Sequence, residues 1–384
     1  KVIFFRALID ILIPFWCYLM LVEPKFRPDF KQRWNWRTIG TWGVVLFAST
    51  YILATIFSVS PWHSFWGTWE RMGGMFSMLH YAIFFVMAVS IFRTREDWHA
   101  LLGLSIIAAA ASSFYGLLQT LHIDEVVGAT GRFRIIGTQG NATAFAGYIL
   151  YNLYFALYLL PITRAKLSKV GLVAVSLLFT ISIVLTASRG AVLALIISAV
   201  AYIIILLIYA VRNRIRAWHG ILAVVFFAGL IFMVFTIFRT PIGGTGYFAR
   251  LRDTRLGEST VQSRIGGWKI AWQGILQRPL LGFGPDNFID VFSRAYDPKF
   301  SNQPFSILFD RAQNIVLEIV TTQGFIGLIG LALMWFWAIR AASRFAVTSQ
   351  RVALYALTIA CGINLFFFFN LFSTYITAIL FYGL

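Results

Sequence analysis

"FDRAQNIVLEIVTTQG", residues 309–324, sets Asp310, Arg311, Gln313 and Asn314 directly against an apolar run that continues to Trp337. A charged, amide-rich knot at the mouth of a long apolar segment marks a boundary between water and hydrocarbon, and the rest of the chain reads the same way. Of 384 residues, 59% are hydrophobic, 17% aromatic and only 12% charged, far too apolar for a soluble domain of this length. Runs of about 18 or more apolar residues, enough to cross the hydrocarbon as helices, fall at roughly 2–22, 39–59, 73–92, 98–118, 141–162, 170–187, 190–211, 219–238, 314–339, 352–370 and 372–384. These make about eleven spans. Backbone polar groups in lipid must be satisfied within each segment, so helices are required, and the alternating pattern of a membrane β-barrel is missing. The expected fold is an all-α integral membrane protein.

The net charge of +17 would suggest a nucleic-acid partner in a soluble protein. Here the basic residues punctuate the connections between spans, so no nucleic acid is expected and the charge gives orientation instead. Connections 23–38 (Lys25, Arg27, Lys31, Arg33, Arg37), 93–97 (Arg93, Arg95), 163–169 (Arg164, Lys166, Lys169), 212–218 (Arg212, Arg214, Arg216) and 340–351 (Arg340, Arg344, Arg351) are short and basic, and alternate with the rest. They are expected in the cytoplasm. The connections near 60–72, 119–140, 188–189 and 239–313 then face outward, and the last is by far the longest. The division expected is helices over 1–238, a large outer loop over 239–313 and further helices over 314–384. The chain opens on Lys1 and stops inside an apolar run at Leu384, which reads as a piece of a larger membrane protein with a helix preceding it. Cys17 and Cys361 lie in apolar spans, where small buried hydrophobes are common, and no disulfide or metal spacing exists.

Within the outer loop, "VQSRIGGWKIAWQGILQRPLLGFGPDNF" (261–288) places Ile265, Trp268, Trp272, Ile275 and Leu276 on one helical face, with Lys269, Gln273 and Gln277 elsewhere. This amphipathic helix is expected either to lie along the membrane surface, held by tryptophan and basic residues that favour headgroup lipids, or to pack on the bundle. "PIGGTG" (241–246) has no following Lys-Ser/Thr and no preceding strand, so it reads as a turn and not a phosphate loop. "NAT" (141–143) fits a glycosylation acceptor but lies at the mouth of a span, and carries no weight.

Arginine dominates the polar residues at the outward boundary: Arg71, Arg132, Arg134, Arg189, Arg264 and Arg311. Each alone is most often a headgroup-binding arginine, yet the positive-inside trend should deplete them there. A compact anion explains the excess, because the guanidinium fork binds phosphate oxygens bidentately and stays charged. A lipid diphosphate fits both the polar boundary and the apolar walls. A metal is not expected: the outward acids Asp124, Glu125, Asp253, Glu258, Asp286, Asp290, Asp297 and Asp310 contain no Asp-x-Asp pair, and the five histidines are scattered.

"RIIGTQGNATAFAGYI", "LTASRGAVLAL", "SRIGGWKIAWQGILQRPLLGFGPDNF" and "FDRAQNIVLEIVTTQGFIGLIG", in that order between spans over roughly residues 130–335, resemble the O-antigen ligase/polymerase superfamily of bacterial multi-pass glycosyltransferases. "SFWGTWERMGG" (64–74) looks like that family's first outer connection. The resemblance implies a GT-C-like helical fold in the bacterial cytoplasmic membrane and an outward-facing active site needing no metal or cofactor. It also implies transfer of a glycan from an undecaprenyl-diphosphate carrier to a lipid A core, glycan or protein acceptor. By motif it maps the diphosphate-binding arginines to Arg189 and Arg264; Arg71, Arg132 and Arg311, from the outward arginines above, are weaker candidates for the same pocket. It makes Asp310, Gln313 and Asn314 the catalytic edge. The family's proposed catalytic base is a histidine where this chain has Gln313, and glutamine takes no proton near neutral pH. Either the chain is impaired or another group, such as Asp310, takes over. Asn314 equally suits a helix N-cap. Competing expectations are a transporter of anionic lipids, for which deep polar residues and a repeat of halves are not seen, and a non-catalytic scaffold.

Overall fold

The computed structural model of the protein describes residues 1–24, 38–121, 134–212, 229, 259–295, 309–368 and 372–383. Among them regular structure is helical: α1 Val2–Val22, α2 Ile39–Ile56, α3 Pro61–Trp66, α4 Met75–Ile91, α5 Arg95–Leu118, α6 Ala142–Leu159, α7 Lys166–Leu185, α8 Arg189–Val211, α9 Ser259–Gln277, α10 Phe288–Arg294, α11 Ile315–Ala342, α12 Thr348–Phe366 and α13 Phe372–Gly383. Seven of these, α1, α2, α5, α6, α7, α8 and α11, are long and apolar enough to cross a membrane. Helices α4 and α13 are apolar but shorter, and α12 opens on the polar turn Thr348-Ser349-Gln350-Arg351. Each expected span except 219–238 carries a helix; that stretch, Arg132 and much of the outer loop lie outside the described residues. This is a multi-pass membrane protein.

The chain folds as two compact units, interleaved in sequence. The first comprises Lys1–Trp98, Leu256–Ala338 and Phe366–Leu384. In it α1 packs on α4, and α4 also meets α2, α3 and α13. Hydrocarbon offers no partner to a polar side chain, so those on α1 and α4 satisfy each other. Arg6 bonds Ser77, Asp10 meets His80 at 3.0 Å, and Trp16 donates to Ser90 at 2.7 Å. Helices α2 and α11 touch backbone to backbone, since a Cβ at Gly330 would come 2.7 Å from the Phe47 nitrogen.

The second unit comprises His99–Arg255 and Ile339–Leu365. Its centre is α6, of which nearly every residue is buried, flanked by α7 and α8. Polar groups at this centre are again paired: Tyr154 donates to Ser198 at 2.5 Å, and Ser105 donates to Asn152 at 2.8 Å.

The amphipathic helix expected near 265–276 is α9, and it packs through a different face. Gly266, Gly267, Ile270, Ala271, Gly274 and Ile275 are buried, while Trp272 and Leu276 are 53% and 65% exposed. Small residues let α9 lie close on α10, with Gly274 against Val291. Ile270, Ala271, Phe283, Phe288, Val291, Phe292 and Ala312 form one apolar cluster there. Of the expected stripe only Trp272 and Leu276 stay exposed, while Ile265 and Trp268 are half-buried. Of the expected face, Ile275 alone is fully buried, and Trp268 makes an edge contact to Phe366 at 6.0 Å.

Candidate active site

The knot lies in the first unit and is built from three segments. The first is the turn after α3. The second is the loop 278–287, where Gly282, Gly284 and Asp286 all take left-handed φ values of 68°, 97° and 64°. Its Asn287 amide donates to Ser58, Ser64 and the Phe283 carbonyl, and Ser64 donates to the Pro285 carbonyl, so the loop is fastened to the connection after α2. The third is 309–324 itself.

These segments bring two carboxylates to Arg311. Its guanidinium bonds Asp286 on one side and Glu318 on the other, the latter at 2.7 Å. Asp286 and Glu318 are 1% and 7% exposed, so the three charges form one buried set. Burial alone would weaken the Arg311 proton, but Glu318 and Asp286 outweigh it and raise its pKa above the ordinary arginine value. The second oxygen of Asp286 accepts from the Thr68 amide at 2.5 Å and its hydroxyl at 3.2 Å. The second oxygen of Glu318 accepts from the Ala312 amide at 2.8 Å. The set therefore holds the backbone at Ala312, beside Arg311, and at Thr68 in the turn after α3.

Asp310 is paired with Arg71 at 2.6 Å, both side chains about a third exposed. Asn314 is the N-cap of α11, its oxygen accepting from the amides of Val316 at 2.9 Å and Leu317 at 3.1 Å. Between buried Ala312 and this cap, Gln313 is half-buried and has φ 54°, a left-handed value uncommon outside glycine and asparagine.

Helix α11 is broken at Gly324, whose φ 71° and ψ −176° are open to glycine almost alone. The loop 278–287 fills the break. Phe283 and Gly284 donate to the carbonyls of Thr321 and Thr322, both at 2.9 Å, and Phe325 donates to the Pro279 carbonyl at 2.8 Å. The knot thus caps a half-helix that ends at residue 323. Irregular backbone at membrane depth is tolerated only where protein or a cavity satisfies it.

Arg264 lies half-buried on α9 in the same unit. Arg189 belongs to the second unit, as the first residue of α8. A turn of three residues joins α7 to α8, with Ala187 left-handed at φ 48°. Arg134 donates to the Thr186 carbonyl at 2.8 Å and so holds the end of α7. The cap residue Ser188 places no side chain on the first amides of α8; its hydroxyl meets that of Thr143 at 3.3 Å. By contrast Asn141, from the "NAT" triplet, caps α6 at Thr143 and Ala144.

Of the residues singled out in the sequence, the structure brings together Arg71, Asp310, Arg311, Gln313 and Asn314. Asp286 and Glu318 complete the set. Asp286 figured only among the scattered outward acids and Glu318 not at all. Glu318 could have been found: a carboxylate inside an apolar span is expensive unless paired, and Arg311 stands seven residues before it.

Fold and site define a multi-pass, all-helical membrane protein with a charged pocket at the mouth of a broken helix. Residues 174–332 match the family model described as O-antigen ligase, and this match supports a likeness to the O-antigen ligase superfamily. No curated protein matches the chain.

Proposed function

We propose that the protein transfers a glycan from an undecaprenyl-diphosphate carrier to an acceptor hydroxyl at the outer face of the cytoplasmic membrane. The observation that carries this is the assembly of Asp310, Arg311 and Gln313 at the mouth of α11, inside the span of the O-antigen ligase domain. The acceptor belongs to a lipid A core, a growing glycan or a protein.

In this reading the acceptor oxygen forms a bond to the anomeric carbon as the bond from that carbon to the diphosphate breaks. The electron pair leaves with the diphosphate, and Arg189 and Arg264 stabilise its charge. Arg189 suits this role because α8 adds the positive end of its dipole and first amides that the Ser188 side chain does not cap. Arg71 and Arg311 are committed to carboxylates and serve to shape the knot instead. The acceptor proton goes to Asp310, the partly exposed carboxylate three residues from Gln313. Left-handed Gln313 orients the hydroxyl through its amide. Backbone strain of this kind, about 1–3 kcal/mol, clusters at functional sites.

Gln313 also favours a second reading, a non-catalytic scaffold, since the group at that position takes no proton. Transfer from an undecaprenyl-diphosphate oligosaccharide by the purified chain separates the two. Slow transfer by the parent, lost in Asp310→Asn and raised about 10²–10⁴-fold in Gln313→His, supports the transferase. Two inert proteins, parent and Gln313→His, support the scaffold.

A further inference from the structure

Behind the knot the first unit encloses a cavity of about 80 Å³ whose walls include Tyr51, Asp286, Arg311, Glu318, Gln323 and Tyr375. We infer that this cavity seats a neutral sugar ring, the unit of the acceptor that carries the reacting hydroxyl. The inference rests on the transferase reading and adds the chemical class of what that site recognises.

Charge excludes the alternative ligand first. Arg311 faces both Asp286 and Glu318, and Arg71, at the rim, faces Asp310. An incoming phosphate or uronate would meet carboxylates in equal or greater number than guanidinium groups, with no surplus positive charge to offset its desolvation. A neutral ligand meets no such barrier.

Unsatisfied polarity comes next. The Gln323 amide oxygen and the Thr321 hydroxyl, at 4% and 0% residue exposure, are buried without a hydrogen-bond partner in the structure. Both belong to the turn of α11 that ends at Gly324, and Gln323 lines the cavity. A buried polar atom left unbonded is costly, and native proteins seldom keep one without a use. A hydroxyl donor is what the Gln323 oxygen on this wall calls for.

Shape and surface agree. Tyr375 stacks on Tyr81 at 4.9 Å with an angle of 24° between rings, which gives the cavity an aromatic wall. Aromatic faces combined with planar amide and carboxylate groups suit a ring that is apolar on its C–H faces and polar at its edge. A single water needs about 10–15 Å³ on the same measure, so the cavity takes a handful of hydroxyl-sized groups, the scale of one ring edge and not of a lipid tail.

The test uses the whole chain in detergent and a panel of methyl glycosides of the common neutral hexoses, with the corresponding 6-phosphates, read by saturation-transfer NMR. Undecaprenyl diphosphate binding is measured on the same preparation. The expected result is that at least one neutral glycoside binds and its 6-phosphate does not. Gln323→Met, which keeps the side-chain volume, should weaken that glycoside on the order of tenfold and leave the lipid diphosphate unchanged. A 6-phosphate that binds as well as its neutral parent overturns the inference, as does a folded Gln323→Met protein that binds the glycoside undiminished. The comparison of neutral and phosphorylated sugars needs no variant, so it decides even where Gln323→Met fails to fold. If the lipid diphosphate binds and no glycoside does, the cavity inference falls while the transferase reading stands; if neither binds, both fall.

Discussion

At the knot, Arg311 is buried between Asp286 and Glu318; at the α7–α8 turn, Arg189 opens a helix whose cap residue, Ser188, places no side chain on the first amides. The same side chain serves two ends, and its neighbours decide which. Two carboxylates neutralise Arg311 and use its fork to hold three segments of chain together. Arg189 adds its charge to the positive end of a helix of 23 residues, a place that favours an anion. Arginines at a membrane boundary are therefore not one class, and counting them overlooks those committed to carboxylates.

If that distinction is right, substitutions at the two places should fail in different ways. The largest loss of stability belongs to Arg311→Leu, which strands two buried carboxylates and should cost about 3–5 kcal/mol, read as a large drop in the thermal unfolding midpoint in detergent. A midpoint near that of the parent would mean the buried set is not what holds the knot. Gly324→Ala follows, because a side chain there would run into the Leu280 carbonyl from a left-handed backbone; about 1–3 kcal/mol is expected from the backbone alone. Asn314→Ala removes the α11 cap and should cost about 1 kcal/mol. Arg71→Gln breaks a pair that is about a third exposed on both sides, and its effect on stability should stay below about 1 kcal/mol. Arg189→Ala should leave the unfolding midpoint close to the parent's while reducing lipid diphosphate binding. The reverse pattern, instability with binding retained, would erase the contrast.

Much of this architecture was legible in the sequence because hydrocarbon imposes a simple rule: a backbone that crosses it must be helical, and apolar runs of sufficient length announce where. Ten such runs carry helices as expected. The interior of the site was less legible. Asp286 lies 25 residues before Arg311, and the fastening of the 278–287 loop onto the connection after α2 and into the break of α11 brings the two together. The break at Gly324 was also hidden, because the apolar pattern runs through it unchanged while the backbone reverses its φ. On α9 the sequence showed the apolar stripe, but the face that packs combines Ile270 and Ile275 with three glycines and an alanine, whose smallness hydrophobic periodicity cannot register.

The central claim is that this chain holds a lipid diphosphate through particular arginines. Binding of undecaprenyl diphosphate to the purified chain in detergent, compared with Arg189→Ala and Arg264→Ala, tests it most directly. The account predicts that the parent binds and that both variants lose binding while remaining folded. A parent that does not bind, or variants that bind as the parent does, would contradict it.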